Sequence, residues 1–398
     1  MGSRALWTTV VALWAVGPVL AADPRSLAGG RLRLGGEASF ALAAEDEGFF
    51  NFTDYRDSYL RMARLGASAE LRLSPHLALL GEARTYNFRD LRAYALYARV
   101  RPFSTREIDF QVGRIPPVFG AFARRRYGAD NPLLGLPQAY QYLTSLRADA
   151  LPITADDLVR MRGEGWLVRY PLGNRVPAAG MPLVASLQWD TGAEVRIGGE
   201  PLQLSAAVTQ GTLGNPRFTD DNDGKQLAAR VAWTPLTGLI LGASGARGEY
   251  LDRDVQALLP PDLGRRRYRQ EAWGADAEYS RDHWLVRSEV IWADWDMPAV
   301  GAPLITSPLR SRAVMVEGRY KLAPGLWVAA RFDDLAFSDV QATGGTFTWD
   351  APVRRLEVGA GYAVHRYVQV KASWQRNRRD GGVVHAQDFV AGQVLLWF

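Results

Sequence analysis

The chain has 398 residues, no cysteine and a formal charge of +5. Without thiols it has neither disulfides nor thiolate metal sites, which removes the disulfide-stapled class of exported proteins. The positive charge is almost all arginine, since Lys225, Lys321 and Lys371 are the only lysines, and the excess is too small to argue for nucleic acid as a partner.

The first element is a leader. Arg4 is followed by an apolar run from Leu6 to Leu20, interrupted at Gly17-Pro18 and closing on the small-residue site Val19-Leu20-Ala21. The run is too short and too broken for a spanning helix, so residues 1–22 read as a secretory signal peptide cut after Ala21 or Ala22. No later stretch approaches the ~20 apolar residues that a spanning helix needs.

From residue 23 onward the chain reads as one domain of segments with period-two alternation and no long amphipathic helix. Residues 31–43 set Leu32, Leu34, Ala38, Phe40 and Leu42 on one face, and Arg31, Arg33, Glu37 and Ser39 on the other. Residues 64–73 repeat this, and Ser74-Pro75-His76 turns the chain into 77–87. Segments 91–102 and 107–114 follow.

Residues 115–182 then break the pattern. Prolines at 116, 117, 132, 137, 152, 171 and 177 remove too many backbone donors for a ladder. A loop of this length inside an ordered chain is usually functional, and we read it as folding into the lumen of a membrane β-barrel and narrowing the pore.

Alternation resumes over 183–198, 202–211, 225–234, 239–250, 268–280, 283–295, 311–322, 326–337, 353–364, 367–376 and 386–398. Short connections rich in Pro, Gly, Asp or His alternate with longer polar ones at 212–224, 251–267, 296–310, 338–352 and 377–385. That asymmetry is the layout of outer-membrane barrels, and the count comes to about sixteen strands, an even number as such barrels require. A spanning strand at 165–172 would make the count odd, so that segment stays inside the insertion as a short non-spanning strand. The expected fold is all-β, a transmembrane antiparallel β-barrel.

The faces support a membrane. In 367–376, Val368, Val370, Ala372 and Trp374 oppose Gln369, Lys371, Ser373 and Gln375. A soluble β-sandwich would alternate in the same way; strand length, loop asymmetry, the leader and the missing disulfides favour the barrel. Trp273, Trp284, Trp292, Trp327 and Trp374 lie in or at the ends of strands, where interface girdles fall. The last segment alternates through Val390, Val394 and Leu396 to a terminal Phe398.

That ending resembles the signal by which the barrel assembly machinery recognises outer-membrane barrels, carried here by Val394, Leu396 and Phe398. The chain beyond the leader resembles the bacterial porin superfamily, whose general diffusion porins carry a long third loop after the fifth strand. VGRIPPVFG (112–120) is similar to the strand-end signature of phosphate-selective O/P-type porins, with Val118 intruding between Pro117 and Phe119. The resemblance implies the outer membrane of a Gram-negative-type bacterium, with its lipid and lipopolysaccharide as surroundings. It also implies a passive channel for small hydrophilic solutes or anions, and a homotrimer.

Charge supplies the candidate site. Arg124, Arg125 and Arg126 form the densest basic cluster in the insertion, joined by Arg114, Arg147, Arg160 and Arg162 and accompanied by Asp130, Asp156 and Asp157. Rings of arginine attract anions in pores, and facing rows of acids and bases would set a transverse field at the constriction. An anchoring role for the three arginines, against wall carboxylates, is equally compatible with the sequence. On the lumen wall the alternation places Arg72, Arg84, Arg99, Arg101, Glu289, Arg319 and Lys371, among other charges of both signs such as Arg33, Glu37 and Glu82. Mixed signs suit a hydrated, weakly selective interior; a mild anion preference fits, and so does none.

Other chemistries find little. Residues 219–224 look calcium-like, but Thr219 and Arg230 stand where a calcium loop needs Asp and Glu. His76, His283, His365 and His385 have no nucleophile and acid beside them, so neither enzyme, cofactor nor metal is expected. The alternative is a structural or adhesive barrel with an occluded lumen, for which Phe49-Phe50-Asn51-Phe52 would suit a surface partner.

Overall fold

The computed structural model describes residues 25–53, 56–122, 128–220 and 222–398. The leader and Arg124, Arg125 and Arg126 lie outside them. Sixteen antiparallel strands close into a barrel. The first eight are β1 (Leu32–Ala43), β2 (Ala63–Arg72), β3 (Leu77–Tyr86), β4 (Arg89–Val100), β5 (Ile108–Ile115), β6 (Asp190–Ile197), β7 (Leu202–Thr209) and β8 (Gln226–Leu236). The second eight are β9 (Leu239–Glu249), β10 (Arg269–Arg281), β11 (Trp284–Trp295), β12 (Leu309–Ala323), β13 (Leu326–Phe337), β14 (Val353–His365), β15 (Val368–Arg379) and β16 (Ala386–Trp397). No helix among the described residues is long and apolar enough to cross a membrane.

Burial settles which face is which. Along β8, Gln226, Ala228 and Arg230 are buried while Leu227 is 62% exposed. Around the barrel the exposed face carries Leu42, Trp273, Val316 and Val390, and the buried face carries Glu37, Glu289, Glu317 and Glu357. Polar inside and apolar outside is the reverse of a soluble sandwich and matches a barrel whose outer surface meets lipid.

Closure joins the two ends of the chain. β1 pairs with β16 from Glu37↔Trp397 to Ala43↔Ala391. Phe398 then exchanges two backbone hydrogen bonds of 3.1 Å with Gly36. A Cβ on Gly36 would lie 2.6 Å from the Phe398 ring, so the glycine makes room for the terminal aromatic. Beyond that point the short strand Arg25–Leu27 takes over pairing with β1.

The insertion runs from 116 to 189 and is longer than the sequence suggests. Residues 183–189 do not begin a strand: Leu183 and Val184 are both fully buried, and the Val184 N–H donates to Ala139 O within the insertion. Alternation in sequence resembled a strand there, but consecutive burial shows packing on two sides. Val168 forms one bridge with Ala178, so 165–172 does not span. Among its described residues the insertion has two α-helices, α1 (Gln138–Gln141) and α2 (Ala155–Arg160), the latter started by a Thr154/Asp157 capping box. Its side chains Phe119, Phe122, Tyr140 and Leu158 join Trp295, Leu335 and Trp349 in the largest hydrophobic cluster among the described residues. A hairpin, Asp339–Ala342 with Gly345–Thr348, occupies what the sequence presents as a plain loop.

Candidate constriction site

Backbone groups of the insertion are held by side chains on the inner wall. Gly120 N–H donates to Ser244 Oγ at 3.0 Å, and Ala121 N–H to Glu289 Oε1 at 2.8 Å. Gly120 has φ 65°, and a Cβ there would meet the Tyr140 hydroxyl at 2.4 Å; the tight turn that follows the porin-like VGRIPPVF stretch therefore requires glycine. On the far wall Gly128 N–H donates to Glu37 Oε2 at 2.9 Å, and Lys371 Nζ donates to Gly128 O at 2.6 Å. Leu134 and Gly135 N–H both donate to Glu357 Oε1, Gln138 N–H to Asp333 Oδ1, and the Tyr140 hydroxyl to Glu289 Oε2 at 2.7 Å.

Beneath Gly135 lies a buried charge junction. Arg331 contacts Glu317 at 3.4 Å, Asp333 at 3.0 Å and Glu357 at 2.6 Å, with all four side chains at most 2% exposed. A Cβ on Gly135 would lie 2.2 Å from Gln375 Nε2 and 2.7 Å from Glu357 Oε2, so a larger residue there would push the ends of these side chains away from the junction. Next to it Arg355 donates to Leu136 O, Gln141 Oε1 and Phe50 O, tying the first loop to the insertion. Buried charges of this kind persist because each is paired and its remaining donors and acceptors are used.

Space remains on the side of β1 to β4, where a cavity of about 500 Å³ is lined by Arg33, Glu37, Arg64, Glu82 and Arg84 of the wall and by Ala129 and Asp130 of the insertion. Here Arg64 bonds Glu37 at 2.5 Å and the Tyr59 hydroxyl at 2.9 Å. Arg84 bonds Glu82 at 2.5 Å and stacks 3.7 Å from the Tyr94 ring centroid. Fixed arginines on the wall thus face an exposed acid on the insertion.

The sequence-derived candidates divide. Asp130 lines the cavity, while Arg124, Arg125 and Arg126 lie outside the described residues. Arg114 shares the outward face of β5 with Phe110 and Val112, pairs across from Leu96 and sits 5.5 Å from the Phe218 ring. It is therefore not with the group. Arg147 is buried against Asp149, Val168 O and Val176 O. Asp157 caps α2 and holds Arg160, Asp156 accepts from Thr343, and Arg162 bonds Thr348 and Asp380 O. These five residues hold the outer part of the insertion together and fasten it to neighbouring loops, away from the cavity.

On the wall, Arg84, Glu289 and Lys371 engage as described. Arg72 and Arg99 share Glu70 at 2.9 and 3.1 Å, and Arg101 meets Asp109 at 3.3 Å. Arg319 is half-buried, two residues beyond Glu317 on the same face of β12. The sequence does not single out Arg64, although alternation along 64–73 puts it on the same face as Arg72. Its neighbours Glu37 and Tyr59 come from other segments, which spacing alone does not bring together.

Asp350 is a second fastening. Its carboxylate accepts from Ser145 N–H at 2.7 Å, Gly163 N–H at 2.9 Å and the Tyr142 hydroxyl at 3.0 Å. Burial pushes this carboxyl above the usual range against the pull of its donors, and burial together with Asp350 pushes the Tyr142 hydroxyl up. Phe49, which the sequence offers to a surface partner, stacks on Trp166 with centroids 3.6 Å apart, and Phe50 is buried.

No protein-family model matches the sequence, and no curated protein matches it. Solved structures do. OmpT, an outer membrane protein of Vibrio cholerae, superposes with TM-score 0.54 at 13% identity, covering 92% of this chain and 97% of that one. Salmonella typhi OmpF, solved in complex with daunomycin, gives 0.56 at 14% identity over 92% and 97%. An anion-selective porin from Comamonas acidovorans gives 0.55 at 10% identity over 92% and 99%. Likeness at such identities speaks for the fold, and the fold is that of the bacterial outer-membrane porins.

Proposed function

We propose that the protein is a passive channel of the outer membrane for small hydrophilic solutes, with a mild preference for anions set where the insertion narrows the lumen. The observation that carries this reading is the cavity beside β1 to β4, where Arg33, Arg64 and Arg84 face Asp130. Charges at a narrow point with a low-dielectric surround act more strongly on a passing ion than they would in open water. Arg124, Arg125 and Arg126 stand in sequence between Phe122 and Gly128, which touches Glu37, and we assign them to the same narrowing. The resemblance to porins supports a trimer in this reading.

The experiment is the reversal potential of single channels in a salt gradient. Replacing Arg124, Arg125 and Arg126 together with serine shifts it toward cations, most at low ionic strength where screening is weakest. Asp130→Asn shifts it toward anions. An unchanged potential in both variants refutes the assignment, and a lumen with no conductance favours the occluded, structural barrel.

A further inference from the structure

At the long-loop end of the barrel the first loop, the insertion and the 212–224 connection meet around another cavity, of about 180 Å³. Its polar lining is Thr53, Gln141, Ser186, Gln188 and Asn215, and none of the described residues that line it is Asp, Glu, Lys or Arg. The cavity beside β1 to β4 is the opposite case, lined by arginines and carboxylates. Arg217 comes close to the uncharged one but is spent: with the Asn215 amide oriented so that its oxygen accepts from Arg217 at 2.8 and 3.0 Å, the guanidinium also bonds Asp252.

The walls are fixed by backbone hydrogen bonds. Gly180 N–H donates to Gly165 O at 2.7 Å, Met181 N–H to Leu146 O at 2.7 Å and Ala185 N–H to Leu213 O at 2.7 Å. Thr212 and Asn215 exchange backbone bonds of 3.0 and 3.1 Å, closing the turn opposite. A preformed cavity loses little freedom on binding. The Gln141 amide is held between Asn51 O and Arg355, each at 2.9 Å, which uses one of its two donors and one of its two acceptor sites. Leu136, Leu143 and Met181 add apolar surface.

We propose that this cavity is a binding subsite for an uncharged sugar on its way to the constriction. A side-chain amide offers donors and acceptors together, as a ring hydroxyl does, whereas a carboxylate only accepts and a guanidinium only donates. The C–H face of a sugar ring suits the leucines and the methionine. An ion would shed hydration here without meeting a counter-charge. At ~30 Å³ for each water of the liquid, 180 Å³ is the share of about six waters, which one monosaccharide ring displaces and an oligosaccharide exceeds. The inference rests on the channel reading only in placing the cavity on a solute's route, and binding is measured apart from conductance.

The test uses the full barrel in lauryldimethylamine oxide, with D-glucose as probe and saturation-transfer difference NMR as readout. Glucose gives a saturable signal with the parent. D-Glucuronate and D-glucosamine, which carry opposite charges on the same ring, need at least about tenfold more for half-saturation. The variant combining Gln188→Leu and Asn215→Leu also needs at least about tenfold more glucose, as the loss of two hydrogen bonds implies. Ala179→Phe, at another lining position, fills the space without removing a hydrogen bond and weakens binding as much, which keeps the test decisive if the double variant folds poorly. Gln341→Ala, on the exposed hairpin, behaves like the parent.

No saturable glucose signal overturns the proposal, and so does equal affinity for glucuronate or glucosamine. Unchanged affinity in the double variant and in Ala179→Phe places the sugar elsewhere and also overturns it. A barrel that binds glucose in this pattern but passes no current in a planar bilayer upholds the subsite and refutes the channel; one that conducts without binding glucose refutes the subsite alone.

Discussion

Replacing Arg331 with methionine exposes how firmly the insertion is fastened. The guanidinium is completely buried among Glu317, Asp333 and Glu357, which are at most 2% exposed. Methionine fills much of the volume but leaves three carboxylates facing one another away from water. Breaking a buried pair by removing one partner costs roughly 3–5 kcal/mol. At 1.4 kcal/mol per tenfold, that corresponds to a change of about a hundred- to a few thousand-fold in the docking equilibrium. Glu357 also holds Leu134 and Gly135 N–H, so the loss is felt first as release of the insertion. The assay is proteolysis of the folded barrel in detergent, following cleavage between 128 and 189. Arg331→Met is cut much faster than the parent. Combining it with Glu317→Gln, Asp333→Asn and Glu357→Gln removes the charge imbalance and recovers most of the protection. Arg72→Met, which breaks the half-exposed pair with Glu70 at 2.9 Å, costs about 0–1 kcal/mol and leaves the cleavage rate unchanged. Wild-type resistance in Arg331→Met, or no recovery in the neutralised variant, refutes the role of this junction.

The other fastenings predict effects of their own. Asp350→Ala leaves the Ser145 and Gly163 N–H groups buried without an acceptor, at about 1–3 kcal/mol for each donor left unmade, and makes single-channel current noisy; a quiet trace with unchanged protease resistance contradicts this. Asp149 is held below the usual carboxylate range, because the Arg147 guanidinium and the Asn174 amide outweigh the raising effect of burial. A lowered carboxyl stabilises above its ordinary value of 3.8 and loses that contribution as pH falls through the folded value. The insertion is therefore cut more readily by an acid-active protease as pH drops below about 4, and Asp149→Asn removes that dependence.

Much of the barrel was legible because its residues obey a local rule. Period-two alternation located all sixteen strands, and parity kept 165–172 out of the wall. Residues 183–189 misled for a physical reason: Leu183, Val184 and Trp189 are fully buried against other parts of the molecule, and alternation records side-chain type without recording what covers it. The site was less legible because it depends on register. Arg331, Glu317 and Glu357 are assigned inward by their own segments. Only the pairings Glu317↔Arg331 and Arg331↔Glu357 bring them onto one level. The same holds outside, where Arg354 and Arg378 oppose each other through pairing across β14 and β15. In the insertion, which has no regular period, Asp130 and Asp156 are alike in sequence. The fold sends one to the cavity and the other to Thr343.

The central claim is that a water-filled path runs beside the docked insertion, past Asp130. The chain has no cysteine, so Asp130→Cys places a single thiol at that point. The measurement is single-channel conductance in a planar bilayer before and after adding sulfonatoethyl methanethiosulfonate. Stepwise loss of current in Asp130→Cys is predicted, with no change in the parent or in Leu227→Cys, which faces lipid and is 62% exposed. Full labelling of Asp130→Cys, verified by mass, with undiminished current would contradict the account.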